Sequence, residues 1–240
     1  MLDGAPSSRR PAGPKPANLK MIKQLGSGGY GRVCLVHDSA SRRVYALKRM
    51  CKAHLLSHNG HMRCEWALRE KRTLEALNHP FINSIHETYA DHKGIYLLLG
   101  AAMGGDLYRL IEKLGQVMFY VVRYHLHESA LTRIFTTRYA QVHEKIARFY
   151  AASLTLALAH IHSHEFIYRD LKPENVLLDA QGFVKLCDFG FSKKVSDRTY
   201  TRCGTPDYTA PEMLLNQGVN QVGRRLEWSF APPAFTDCET

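Results

Sequence analysis

Along the chain, apolar residues recur first at strand spacing, then at helical spacing, then at strand spacing again. From about Leu19 the runs MIKQL, RVCLVHD and RVYALKRM are β-rich and separated by turn residues, which predicts a meander of strands. WALREKRTLEAL then places apolar residues at intervals of three and four, predicting a helix ahead of Pro80. SIHETYAD and GIYLLL return to the strand pattern. Beyond Gly104-Gly105 the pattern becomes helical. DLYRLIEKL is followed by EKIARFYAASLTLALAHIHS, whose small and apolar residues leave little polar face and predict a buried helix. NVLLD and FVKLCD flank Gly182 as two arms of a hairpin. Strands first and helices afterwards predict an α+β chain in two lobes, with no internal repeat.

Two stretches break this order. Residues 117–141, VMFYVVRYHLHESALTRIFTTRYAQ, are β-branched and aromatic where a short link between helices is expected. Residues 222–240 show no element. At the other end, residues 1–18 are rich in Pro, Ala, Gly and Arg without apolar periodicity and read as a disordered lead-in.

A chain of 240 residues with 45% hydrophobic content can bury a substantial core. The six cysteines lack C-x-x-C pairs and metal-ligand spacing, which predicts free thiols in a reducing compartment. The opening MLDGAPSSRRPAGPKPA has no apolar signal core, and no segment approaches the roughly 20 apolar residues of a bilayer span. Glycine at position 4 rather than 2 misses the N-myristoylation pattern. These features predict a cytoplasmic or nuclear protein with no membrane span. The net charge of +10 is spread along the chain rather than gathered among aromatics, which argues against nucleic acid and suits a protein that handles nucleotide phosphates.

Four motifs carry chemistry. Gly26-Ser27-Gly28-Gly29-Tyr30-Gly31-Arg32-Val33 is a G-x-G-x-x-G-x-V pattern between two strand-like runs. Glycines let the backbone bend closely over phosphates and leave N–H groups free to donate, although a plain turn explains such a pattern equally well. Lys48 ends the run VYALK, and a helix bearing Glu70 follows. A Lys48–Glu70 pair would hold the ammonium against the α- and β-phosphates of a nucleotide, and a solvated strand end is the bland reading. In Tyr168-Arg169-Asp170-Leu171-Lys172-Pro173-Glu174-Asn175 a proline interrupts a cluster of polar side chains, a poor structural element but a good site. There Asp170 can accept or orient a hydroxyl proton, Lys172 can neutralise a γ-phosphate, and Asn175 can hold a metal. Asp188-Phe189-Gly190 follows an apolar run, and Asp188 can bind Mg2+ bridging nucleotide phosphates.

In this order, closed by Ala210-Pro211-Glu212, the motifs resemble the eukaryotic protein kinases. Tyr168 before Arg169, HPFI at 79–82 and CGTPDYTAPE at 203–212 resemble the AGC group. DFGFSKKV, the TYT near 200 and AAMGGDL are most similar to the cyclic-nucleotide-dependent kinases. The resemblance implies a β-rich N-lobe with hinge at 19–103, a helical C-lobe at 104–221 interrupted at 117–141, and a tail at 222–240 unlike a kinase. It implies an ATP- and Mg2+-dependent enzyme that phosphorylates Ser or Thr in basic proteins. Val33, Ala46 and Leu177 would sandwich the adenine, Leu99 would be the gatekeeper, and Gly100 to Ala102 the hinge. Thr201 matches the activation-loop phosphosite, whose phosphate would pair with Arg169 and Lys193. Asp106 and Glu174 match acidic positions that read substrate arginines, and the Thr205 hydroxyl would contact Asp170 and Lys172. An upstream activating kinase and a regulatory subunit or domain are implied partners.

The sequence departs from that pattern in places. Trp66 stands where close relatives have a histidine reaching the phosphothreonine. Arg202 and Thr209 occupy a usually apolar pocket for the residue after the phosphoacceptor. GRRLEWSFAPPAFTDCET does not resemble the central helix expected after residue 221, so the C-lobe is expected to be truncated and activity impaired. The alternative is a catalytically inactive nucleotide-binding or regulatory fragment.

Overall fold

The computed structural model describes residues 13–28, 31–55, 60–114, 144–195, 198–199, 203–205, 208 and 219–220. The chain divides into two compact units, Met1–His58 with Ile85–Ala101, and Asn59–Ser84 with Ala102–Thr240.

The first unit is built on strands β1 (Leu19–Gly28), β2 (Gly31–Asp38), β3 (Val44–Cys51), β4 (Ile85–Ala90) and β5 (Gly94–Gly100), with a single helical turn α1 (Lys52–Leu55) after β3. They form one antiparallel sheet in the order β1-β2-β3-β5-β4. Two tight connections among the described residues are made by aspartates that replace backbone acceptors. Asp38 accepts from the N–H groups of Ala40 (3.3 Å) and Ser41 (2.9 Å), and Asp91 from those of Lys93 (2.8 Å) and Gly94 (2.7 Å). Leu97, Leu98 and Leu99 are all buried, because β5 lies inside the sheet and is covered on both faces; GIYLLL therefore reads as a run rather than an alternation. Val36, Tyr45 and Leu98 form the core of one face, with Leu19, Cys34, Leu47 and Tyr89 against them. Residues just ahead of β1 are anchored as well: Gly13 N–H donates to the Glu87 carboxylate (3.2 Å), and the Tyr89 hydroxyl to the Pro14 carbonyl.

The second unit carries the long helices α2 (Gly60–Ala76) and α4 (Glu144–Ser163), with the shorter α3 (Leu107–Leu114) between them. Its strands are short: β6 (Gly105–Asp106), β7 (Phe166–Ile167), β8 (Val176–Leu178), β9 (Val184–Leu186), β10 (Lys193–Lys194), β11 (Arg198–Thr199) and β12 (Val219–Asn220). They pair as β6-β8-β9, β7-β10 and β11-β12. Ile82 bridges in parallel to Leu186, which ties the chain after α2 to the hairpin. Leu107, Leu154, Ile161, Leu171, Val176, Leu186 and Phe189 are fully buried and form the core. The observed fold is thus α+β, with a β-rich part and a helical part.

Helix α4 differs from expectation. Ala147, Ala151, Leu154, Ala157, Leu158 and Ile161 are buried, but Phe149 and Leu156 face outward, the latter 54% exposed. The buried stripe is rich in alanine, so apolar residues on the opposite face disguised an amphipathic helix as a buried one. The segment at 117–141, the tail at 222–240, Gly29, Thr201, Arg202, Thr209 and Ala210-Pro211-Glu212 lie outside the described residues.

Candidate active site

In the first unit, strand register decides which side chains share a face. Val33 pairs with Lys48, Ala46 with Leu99, and Lys48 with Leu97. Directly opposed residues point the same way, and so do residues two apart on one strand. Val33, Ala46, Lys48, Leu97 and Leu99 therefore line one face, three apolar candidates for the base beside the candidate phosphate lysine. Lys48 is 9% exposed. The glycine run is uneven. Gly26 pairs with Val33 and has open space around it, whereas Gly31 has φ +136° and a Cβ there would collide with the Arg49 carbonyl. Glycine at 31 is thus demanded by the sheet itself, while Gly26 leaves room for a ligand.

The second unit assembles the catalytic-loop candidates. After α4 the chain turns at Glu165, which takes φ +63°, and its carbonyl accepts from Val195 N–H (2.9 Å). Strand β7 then pairs with β10, setting Ile167 opposite Lys193. Pro173 stops further extension and opens the 3-10 turn Pro173–Asn175. The carboxylate of Asp170 lies where these segments meet, 3% exposed. Its Oδ1 accepts from the Thr205 N–H (3.0 Å) and hydroxyl (2.9 Å). Its Oδ2 accepts from Asn175 Nδ2 (2.8 Å) and faces Lys172 Nζ (3.1 Å). Lys172 also donates to the Thr205 hydroxyl (2.6 Å), and Asn175 Nδ2 to the Asp170 carbonyl (2.8 Å). Four donors thus fix one carboxylate, and Asp170, Lys172, Asn175 and Thr205 form one network.

A second strand of contacts joins this network to Asp188. Cys187 N–H donates to the Asn175 carbonyl (3.0 Å), and the Tyr168 hydroxyl donates to the Cys187 carbonyl. Burial holds the Tyr168 phenol well above its ordinary pKa, so it remains a donor. Its ring meets Phe189 edge-on at 5.1 Å. Asp188 itself adopts φ +57° and Arg169 φ +68°, left-handed conformations that cost of order 1 kcal/mol each and are held by these surroundings.

Arg169 is 7% exposed; its Nε donates to the Phe191 carbonyl (2.8 Å), and its NH1 has no partner among the described residues. Burial, with Arg69 nearby, lowers its pKa. Gly204, at φ +101°, lies so near that a Cβ there would come within 2.5 Å of the Arg169 carbonyl. Cys203 is beside it, with its thiol pushed up by burial.

The remaining candidates are shared between the two units. Glu70 is 2% exposed on α2 and belongs to the second unit, while Lys48 belongs to the first. Val33, Ala46 and Leu99 likewise lie in the first unit, and Ala102 and Leu177 in the second. Asp106 pairs with Leu177 across β6 and β8 and caps α3, accepting from Arg109 N–H (2.8 Å). Glu174 is exposed on the 3-10 turn. Motif reading passed over Thr73 and Ser192, whose hydroxyls meet at 2.8 Å in the core. A polar residue on the apolar side of α2, one turn after Glu70, was the available signal.

The donor chemistry fits a divalent metal. Asn175 carries an amide oxygen beside the Nδ2 that it spends on Asp170, and Asp188 carries a carboxylate. Among the described residues no group of three His, Cys, Asp or Glu could hold a metal alone. Few hard oxygen ligands suit a cation that takes its remaining ligands from phosphates and water.

Residues 19–229 match the protein kinase domain family, and the chain belongs to it. The cAMP-dependent protein kinase catalytic subunit of Dictyostelium discoideum is 35% identical over 210 residues, 88% of this chain and 28% of that protein. The human cGMP-dependent protein kinase 2 is 38% identical over 203 residues, 84% of this chain and 23% of that protein. This chain thus spans about a quarter of the length of these two relatives. The putative serine/threonine-protein kinase PRKY of Homo sapiens is 33% identical over 246 residues, 97% of this chain and 78% of that protein. No helix among the described residues is long and apolar enough to cross a membrane.

Proposed function

We propose that this chain transfers the γ-phosphate of ATP to Ser or Thr side chains of basic proteins. The observation that carries the reading is the network around Asp170, in which Lys172, Asn175 and Thr205 converge on one buried carboxylate. In this reading Asp170 orients the substrate hydroxyl and accepts its proton, and the four donors hold the carboxylate in one rotamer while it does so. Lys172 neutralises charge on the transferring phosphoryl group, and Thr205 keeps the ammonium beside Asp170. Asn175 and Asp188 would hold Mg2+, which when bound neutralises the nucleotide phosphates. Val33, Ala46, Leu99, Ala102 and Leu177 would bind the adenine, the glycine run the phosphates, and Lys48 with Glu70 the α- and β-phosphates. Asp106 and Glu174 would read arginines before the acceptor, Glu174 from an exposed position and Asp106 alongside its capping role.

Arg169 supports control by phosphorylation. Its buried NH1 has no partner among the described residues, and a phosphate on Thr201 would supply one. Cysteines without C-x-x-C pairing support a cytoplasmic or nuclear setting.

The test is phosphate transfer from Mg2+–ATP to an arginine-rich peptide, run beside Asp170→Asn. Transfer that the variant lacks supports the reading. Nucleotide binding without transfer in the parent chain would favour a nucleotide-binding regulatory module instead.

A further inference from the structure

Two hydroxyls lie in the core of the second unit with no role in the reading above. Thr73 is 1% exposed and Ser192 not at all, and their oxygens are 2.8 Å apart. The direction of the bonds follows from counting protons. Ser192 Oγ also lies 2.6 Å from the Phe189 carbonyl, which can only accept, so the Ser192 proton goes there. The Thr73 hydroxyl must then donate to Ser192. The result is a one-way chain from helix α2 through Ser192 to the backbone of Phe189.

The far end of the chain is a tight turn. Ser192 N–H donates to the same Phe189 carbonyl (3.0 Å), closing a loop over Gly190 and Phe191 directly after Asp188. Phe191 packs against Trp66 with ring centroids 5.4 Å apart, and Phe189 is fully buried against Tyr168. On α2 the residues Trp66, Glu70 and Thr73 stand at i, i+4 and i+7, one face of the helix. That face therefore holds the turn at both ends, by a ring contact near Trp66 and by a hydroxyl at Thr73, with Glu70 between them. The ring contact tolerates sliding and the hydroxyl does not. Moving α2 along its axis would leave the buried Thr73 hydroxyl without its acceptor, which costs more than the bond itself gains.

We propose that Thr73 is a positioning residue, its hydroxyl latching helix α2 to the turn after Asp188 so that Glu70 and Asp188 keep a fixed register. This rests on the phosphotransfer reading for its consequence but not for its geometry.

The experiment compares Thr73→Val, which keeps the shape and removes the donor, with Thr73→Ser, which restores it. Hydrogen exchange on the full chain is read at residues 188–192, and Mg2+–ATP binding and peptide phosphorylation are measured alongside. In Thr73→Val, exchange at 188–192 should rise about five- to tenfold, the scale of one neutral hydrogen bond, with the rest of the chain unchanged. Mg2+–ATP should bind more weakly by a similar factor, kcat should fall, and the peptide KM should stay the same. Thr73→Ser should restore all of these. Unchanged exchange at 188–192 in Thr73→Val, a rise spread evenly over the chain, or no rescue by Thr73→Ser would overturn the latch. If the parent chain binds nucleotide but transfers no phosphate, the proposed function fails while the exchange and binding measurements still decide the latch.

Discussion

In the first unit, candidate ligand-binding side chains are placed by strand register alone: Val33, Ala46, Lys48 and Leu99 share a face because β2, β3 and β5 pair as they do. In the second, Asp170 is placed by four side-chain and backbone donors drawn from segments up to 35 residues away, and its neighbours Arg169 and Asp188 hold left-handed backbones. A register shared by whole strands absorbs a changed side chain, because every ladder bond persists. A polar network does not, because each member removed leaves a buried partner unsatisfied. Substitutions in the second unit should therefore alter the chemistry sharply, and those in the first should act through volume and backbone space.

The largest expected effect tests that contrast at its centre. Asp170→Asn keeps the side chain's size but removes its capacity to take a proton, and should lower phosphate transfer about a thousandfold. Mg2+–ATP should still raise the melting temperature of this variant. Asp188→Ala should instead lose the Mg2+–ATP shift, because it removes a metal ligand rather than the base. Thermal-shift titration of both variants decides the matter; equal loss of nucleotide binding would mean that one network serves both tasks and that the roles are not separable.

Much of this division was legible in the chain. The strand meander, the helices at WALREKRTLEAL and DLYRLIEKL, and the NVLLD–FVKLCD hairpin each announce themselves by period, and the structure has β1 to β5, α2, α3, β8 and β9 there. Two-residue strands such as β6, β7 and β10 are too short to show a period; they exist because a neighbouring segment supplies the pairing. The Thr73–Ser192 contact was hidden for a related reason, since its partners are 119 residues apart and neither has a chemical role that its surrounding sequence announces. Helix α4 misled because a stripe of Ala147, Ala151 and Ala157 is apolar without being bulky, so both its faces looked like core.

The next expected effect sharpens the comparison within the first unit. Gly31 and Gly26 belong to the same run, yet only Gly31 combines a positive φ with a carbonyl where the Cβ would go. Gly31→Ala should destabilise the chain by roughly 2 kcal/mol, the scale of a strained backbone residue. Gly26→Ala meets nothing within 4 Å and should leave the urea midpoint almost unchanged. If the open space at Gly26 is used by phosphates, the same substitution should still raise the KM for ATP. A Gly26→Ala variant as unstable as Gly31→Ala would show that the strained glycine is not the distinguishing feature.

The smallest expected effect concerns pH, and again it separates the units. His160 and His164 stand one turn apart near the end of α4, with rings 4.3 Å apart, and His79 approaches His160 from the segment after α2 at 5.0 Å. His160 Nε2 is buried with no partner among the described residues. Burial first, then His164 and His79, push the His160 pKa below its ordinary 6.5; burial and Lys185 do the same for His79. The sign follows directly. As pH falls through about 6.5 the unfolded chain takes up protons on these histidines while the folded chain resists, so the unfolded state is favoured and stability falls. Above that pH both states are neutral there and the term vanishes. His86 in the first unit is lowered too, by burial and by Arg43, but it stands in contact with the Tyr45 ring rather than with other histidines. Acid should therefore loosen the second unit first. His160→Phe keeps an aromatic ring and removes one titrating group, so its urea midpoint should drop less than that of the parent between pH 7.5 and 5. Hydrogen exchange at residues 77–82 and 160–165 should show the same difference. Parallel pH curves for the two proteins would mean that the histidine cluster accepts its protons without opposing the fold, and that acid does not distinguish the units.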